Sequence, residues 1–264
     1  MSIIQAIILG LVQGLTEFLP VSSSGHLIIF HDLIGANNSG LAFDVALHLG
    51  TLFALLLYFH KDIIHLLKGI LGKNNSRRLA WLLLIATIPA VISGVLLESL
   101  AESTFRSERL VAMNLIIVGA IMMMAERFNA RITKRTNLDN LSTKQAIGIG
   151  TAQAVAVIPG VSRSGGTITT GLFLGLDRVA ATRFSFLLGI PITAGAIGKV
   201  LLSGDGLVLI ENDRAIFAIG ISTAFISGLL AIRFLLRYLA GHTLNIFAYY
   251  RISIGLLVLI ASLV

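Results

Sequence analysis

Read for its hydrophobic and polar positions, the chain is a series of apolar stretches about 20 residues long, the length that carries an α-helix across a hydrocarbon core. The pattern predicts full spans at 42–60, 79–97, 110–126, 179–202, 215–234 and 245–263. Two regions interrupt it. Residues 3–16 and 24–33 are apolar pieces too short to cross, separated by polar residues around Pro20, and 144–158 and 164–176 repeat that arrangement around Pro159. Each pair predicts a re-entrant helical hairpin, because backbone that leaves the helix at membrane depth survives only where it is buried or lines a cavity. Pro89 and Pro191 fall inside predicted spans, where proline kinks a helix.

The interruptions are also written alike. Residues 13–26 read QGLTEFLPVSSSGH and residues 153–166 read QAVAVIPGVSRSGG. At an offset of 140, ten of the 24 positions from Gln5 to Ile28 are identical, among them Gln13/Gln153, Ser22/Ser162, Ser24/Ser164 and Gly25/Gly165. Chance at this composition gives roughly two or three, so the match indicates an internal repeat. Three predicted spans lie between the hairpins, so the two enter from opposite faces and their tips meet near the midplane. The expected fold is an all-α integral membrane protein with an inverted-topology repeat, six full transmembrane helices and two re-entrant helical hairpins. It forms one membrane domain over 1–264, with repeat 1 at 1–128 and the inverted repeat 2 at 141–264.

Composition agrees with this reading. Only 12% of residues are charged and the mean hydropathy is +0.91, which excludes an ordinary soluble domain. The net charge of +7 points to loops held beside an anionic membrane rather than to nucleic acid. Segments 61–78 and 127–144 and the pair Arg233 and Arg237 carry the basic residues and are expected inside. Glu98, Glu102 and Glu108, then Asp205, Glu211 and Asp213, mark the alternate loops as outside, with both termini. Arg178, Arg183 and Arg251 fit the cytoplasmic ends of spans. The chain has no cysteine, so thiolate chemistry is excluded. The N-terminus lacks a basic leader region and reads as mature protein.

The chemistry concentrates at the two tips. Glu17 is costly at membrane depth and marks a functional site. Gln13 lies one helical turn before it on the same face, and the two offer oxygen ligands to a hard divalent cation, Mg²⁺ or Ca²⁺. His26 suits proton transfer or nucleophilic attack. Ser22, Ser23 and Ser24 supply hydroxyls and a helix cap. In the second tip Arg163 replaces Ser23, and a guanidinium is shaped to hold a phosphate through two parallel bonds. Ser162, Ser164 and Gly165 stand beside it, with backbone N–H groups at a helix start. An anion cradle next to a metal-binding acid is what phosphoryl transfer requires. Bland readings compete: serine and glycine serve close packing in membrane helices, a lone buried Glu can be structural, and Asp44 with His48 reads as a rim pair.

At these residues the chain resembles the undecaprenyl-diphosphate phosphatase family of the bacitracin-resistance type. Gln13 to His26 follows the pattern (E/Q)GxTEFLPxSSxGH, Pro159 to Gly165 follows PGxSRSG, and Asp177 to Pro191 follows DRxxAxRFSFLLxIP. The resemblance implies hydrolysis of undecaprenyl diphosphate to undecaprenyl phosphate and inorganic phosphate, which recycles the lipid carrier for cell-wall synthesis. It implies an enzyme of the bacterial cytoplasmic (inner) membrane with its active site opening to the outer face. By position, Gln13 and Glu17 hold the cation, and Arg163 clamps the diphosphate with Ser162 and Ser164 beside it. Ser23 and His26 form the catalytic pair, with Ser23, His26 or water as the attacking group. The expected partners are the polyprenyl diphosphate and membrane lipids, with no nucleic acid and with a homodimer as a candidate assembly. The competing reading is a transporter or flippase using the same anion site, since inverted repeats with broken helices also build transporters. Glu17 beside His26 separates the two, because a carrier needs no metal-activated nucleophile.

Overall fold

The structure is a computed structural model, and it describes residues 1–36, 40–71, 75–97, 100, 107–202 and 213–262. The expected outer-loop residues Glu98, Glu102, Asp205 and Glu211 lie outside the described residues. The helices are α1 (Ile3–Phe18), α2 (Ser23–Leu33), α3 (Gly40–Tyr58), α4 (His60–Leu71), α5 (Asn75–Leu96) and α6 (Glu108–Ala130). After a short 3₁₀ turn at Leu138–Asn140 come α7 (Thr143–Val155), α8 (Arg163–Phe173), α9 (Arg178–Leu202), α10 (Arg214–Leu239) and α11 (Asn245–Ala261). The chain is thus an all-α, multi-pass membrane protein. Among the described residues, four helical segments, within α5, α6, α9 and α10, are long and apolar enough to cross a bilayer. Taking α3 together with α4 across their 75° bend makes five, while α11 is apolar but shorter.

The two interruptions fold by the same local devices. Ser2 caps α1 and Ser142 caps α7, each in a reciprocal capping box with the glutamine three residues on, Gln5 or Gln145. Both helices then stop short. The chain turns through Ser22 at φ 78° in the first case and Ser162 at φ 75° in the second, the two positive-φ residues other than glycine among the described residues. Such a backbone costs about 1–3 kcal/mol. The cap offsets part of that: Ser22 Oγ accepts from Gly25 N at 3.4 Å and Ser162 Oγ from Gly165 N at 3.0 Å.

Packing follows the small residues. α1 lies along α10, and α7 lies along α5. α6 and α11 cross where Gly119 faces the Ala248 carbonyl and Gly255 faces the Ala112 carbonyl, and a Cβ on either glycine would come within 3.0 Å of that oxygen. Under the tips, Phe18 and Phe59 pack edge-on against Phe186 with ring centroids 5.4 and 6.2 Å away, in the larger of two buried apolar clusters among the described residues.

One segment departs from the sequence reading. The charges over 61–78 predict a basic loop, yet His60–Leu71 is helical and packs on α5. The reason is an apolar stripe: Ile63, Leu66 and Ile70 recur at helical spacing between the lysines, and Ile63 and Leu66 pack against the core. Arg251 is a second correction. The sequence pattern puts it at a cytoplasmic helix end, but its side chain is fully buried in α11.

Candidate active site

The end of α1 and the starts of α2 and α8 converge on one carboxylate. Glu17 is the penultimate residue of α1 and is 8% exposed. Its Oε1 accepts from Arg163 Nη2 at 2.6 Å. Its Oε2 accepts from Ser23 Oγ at 2.6 Å and from Gln13 Nε2 at 3.1 Å. Ser23 is the first residue of α2 and Arg163 the first of α8, so each side chain leaves the positive end of a helix dipole toward the acid. The second guanidinium arm, Arg163 Nη1, donates to the Ser185 carbonyl of α9 at 3.3 Å. Thr167 holds that corner together, bonding Ser185 Oγ at 2.6 Å and donating to Arg163 O at 2.7 Å. A buried opposite-charge pair strengthens because the surrounding dielectric is low.

Of the serines flanking these two residues, Ser22, Ser162 and Ser164 bond the backbone. Ser22 and Ser162 cap their helices and lie 3.4 and 3.2 Å from Ser24 and Ser164 respectively. Ser164 Oγ also donates to Leu19 O at 3.1 Å, joining the second tip to the first. Gly165 supplies the capped N–H and lies against the guanidinium of Arg251.

His26 belongs to a neighbouring network rather than to the Glu17 cluster. Its Nδ1 lies 2.8 Å from the Ser22 carbonyl and its Nε2 lies 2.8 Å from the Tyr250 hydroxyl. The two rings are parallel, with centroids 5.6 Å apart. Tyr250 is half exposed, so this network opens toward the surroundings on the α11 side.

Three participants are not singled out by sequence reasoning. His48, which the sequence presents as a rim residue, sits on α3 with Nε2 3.7 Å from Glu17 Oε2. Asn114 of α6 donates to the Pro159 carbonyl at 2.9 Å. Arg251 donates to Pro20 O at 3.2 Å, Gly160 O at 2.6 Å and Val161 O at 3.0 Å, tying both tips to α11. The sequence does carry a signal for it: one charge in an otherwise uncharged, mostly apolar helix, which by default is a buried, partnered charge. Arg178 and Arg183, by contrast, pair with Glu126 and Asp62, each at 2.5 Å.

The donors around Glu17 bear on a divalent cation. Gln13 Oε1 is buried without a hydrogen-bond partner while its Nε2 is used by Glu17. One carboxylate, one amide oxygen and one hydroxyl fit a hard cation that takes its remaining ligands from water and phosphate oxygens, the usual habit of Mg²⁺ at phosphoryl-transfer sites.

The chain is similar to known sequences over nearly its whole length. The family model described as bacitracin resistance protein BacA matches residues 6–257. An undecaprenyl-diphosphatase of Moorella thermoacetica is 47% identical over 260 residues, covering 98% of this chain and 97% of its own. One of Rubrobacter xylanophilus is 43% identical over 272 residues, with 98% and 97% covered. One of Methanosphaera stadtmanae is 40% identical over 282 residues, with 100% and 99% covered. With a family match running through both tips and nearly the whole length, the chain belongs to the bacitracin resistance protein BacA family.

Proposed function

We propose that this chain hydrolyses undecaprenyl diphosphate to undecaprenyl phosphate and inorganic phosphate at the Glu17–Ser23–Arg163 centre. The name undecaprenyl-diphosphatase is shared by the relatives above. The observation that carries the reading is the convergence of Ser23 and Arg163, from different hairpins, on the two oxygens of one buried carboxylate. A transporter needs the cradle but has no use for a serine hydroxyl bonded to an acid.

The arrangement favours Ser23 as nucleophile. Its hydroxyl proton points at Glu17 Oε2, so the carboxylate can accept that proton as Oγ attacks the terminal phosphorus. The bond to the bridging oxygen breaks, undecaprenyl phosphate leaves, and water then cleaves the seryl phosphate. Arg163 turns one arm to the developing negative charge on the phosphoryl oxygens while Ser185 O keeps the other in place. His26 with Tyr250 stands as the second proton-handling pair. Gln13 and Glu17 would hold a Mg²⁺ or Ca²⁺ ion, which when bound supplies neutralisation of the diphosphate charge.

The wider placement extends the same reading. The two halves form an inverted repeat of six spans and two re-entrant hairpins, with α3 and α11 counted as spans. The paired capping boxes, the paired positive-φ serines and the reciprocal α1–α10 and α7–α5 packing support it. The basic segments lie inside, both termini lie outside, and the site opens outward to a lipid whose tail stays in the bilayer.

Purified protein in detergent should release phosphate from undecaprenyl and farnesyl diphosphates only with Mg²⁺ or Ca²⁺ present. Glu17→Gln should abolish release while thermal unfolding remains cooperative. Release within a few-fold of wild type at saturating metal would remove Glu17 from the centre, and no release from either substrate would overturn the activity.

A further inference from the structure

We infer that His48 is a nitrogen ligand of the divalent cation, completing a Gln13–Glu17–His48 set drawn from α1 and α3. The inference rests on the cation reading above and adds a residue and a metal preference to it.

The imidazole tautomer comes first. His48 Nδ1 lies 2.8 Å from the Asp44 carbonyl one turn earlier on α3. A carbonyl only accepts, so Nδ1 carries the hydrogen, and in the corresponding neutral tautomer, the form that binds metals, Nε2 presents a lone pair. That lone pair faces Glu17 Oε2 at 3.7 Å, too long for a hydrogen bond. Two electron-pair donors facing each other across such a gap leave a place for a cation between them. First-row metals bind imidazole nitrogen and carboxylate oxygen at about 2.0–2.2 Å, and a bent N–metal–O arrangement at those lengths spans 3.7 Å.

Two further observations point to the same place. Gln13 Oε1 is buried with no partner, and its Nε2 donates to the very oxygen that faces His48. Turning the amide exchanges its nitrogen for the orphaned oxygen and adds a third donor beside Glu17 Oε2. Arg163 engages the other carboxylate oxygen, Oε1, so its guanidinium does not occupy the gap. The Nδ1–H bond to a backbone carbonyl is also the support that metal-binding histidines ordinarily have. His48 is half-buried, which leaves the cation a face open to substrate oxygens.

An imidazole changes which metal the site prefers. Oxygen donors suit Mg²⁺, Ca²⁺ and Mn²⁺ alike, whereas an added imidazole nitrogen favours a first-row ion over Ca²⁺, which takes oxygen ligands. The site therefore binds Mn²⁺ more tightly than Ca²⁺.

The test uses Mn²⁺ alone, added to the full chain in lipid nanodiscs and followed by electron paramagnetic resonance. Wild type should bind one Mn²⁺ whose electron spin echo is modulated by a ¹⁴N nucleus. The modulation should vanish in His48→Gln and persist in His26→Gln. His48→Gln should weaken Mn²⁺ binding by about tenfold or more and change Ca²⁺ binding less. Bound Mn²⁺ that depends on Glu17 but lacks ¹⁴N modulation in wild type would overturn the inference and leave the cation reading standing. Modulation that survives in His48→Gln would reassign the ligand and overturn it equally. Absence of any Mn²⁺ binding would overturn both. The wild-type echo reads the ligand directly, so a variant that fails to fold does not block the result.

Discussion

Gly189 lies against the guanidinium of Arg163 so closely that a Cβ built on it would collide with Nη1 and Cζ. A residue of α9, 26 positions along the chain, therefore sets where the arginine of the second tip can sit. The carbonyl of Ser185, one turn earlier, holds the same Nη1 at 3.3 Å.

Gly189→Ala should displace Arg163 without harming the helix, since alanine is the better helix former. A charge-assisted hydrogen bond is worth about 1.5–3 kcal/mol. Its loss should lower kcat/KM by roughly 10- to 150-fold while the unfolding midpoint in detergent falls far less than in Arg163→Ala. Wild-type turnover in this variant would show that Arg163 does not need its present position.

A second prediction concerns Arg251. Its side chain is fully buried and saturates the carbonyls of Pro20, Gly160 and Val161. Arg251→Met fills similar volume but strands those acceptors, at about 1–3 kcal/mol each. The unfolding midpoint should fall by roughly 10 °C or more, and turnover should fall with it as the tips lose their common anchor. A midpoint within about 2 °C of wild type would show that the loops hold their shape unaided.

How far these features can be read from sequence depends on where their signal lies. Glu17, Ser23 and Arg163 stand inside a motif written twice, so the repetition marks their neighbourhood and their chemistry, which differs between the two copies, marks the residues. His48 carries no such mark. Its meaning comes from α3 packing beside α1, and an Asp44–His48 spacing of one turn on an apolar helix is equally compatible with a rim pair. Arg251 is visible as a charge but not as a clip, because its acceptors are backbone carbonyls with no residue signature. The helix at His60–Leu71 is hidden by its lysines: loop charge and the polar face of an amphipathic helix look alike until the apolar stripe is counted. The pairing of Arg163 with Glu17 is also illegible in the sequence, since each side chain suits a different ligand and their mutual attraction depends on the tips meeting.

The orientation can be tested because the chain lacks cysteine. Lys134→Cys lies in the exposed stretch after α6 and is expected inside, while Ser2→Cys is expected outside. An impermeant maleimide applied to intact cells should label position 2 and leave position 134 unlabelled until the membrane is opened. Labelling of position 134 in sealed cells would reverse the orientation and place the site on the inner face.

The last prediction separates the charge of Arg163 from its shape. One arm of its guanidinium reaches Glu17 Oε1 at 2.6 Å and the other reaches Ser185 O at 3.3 Å. Lysine keeps the charge but offers a single point, so it cannot hold α9 and an oxyanion at once in this planar geometry. Arg163→Lys should therefore lose at least one charge-assisted bond, about 1.5–3 kcal/mol, and cut kcat/KM by roughly 10- to 150-fold. Arg163→Ala should cost more, because it also leaves Glu17 as an uncompensated buried charge, a loss of about 3–5 kcal/mol when one partner of a buried pair is removed. Folding and catalysis should then part company between the two variants. Arg163→Lys should keep a near-normal unfolding midpoint with poor turnover, and Arg163→Ala should lose both. Full activity in Arg163→Lys would show that charge alone suffices and that the forked grip plays no part in holding the diphosphate.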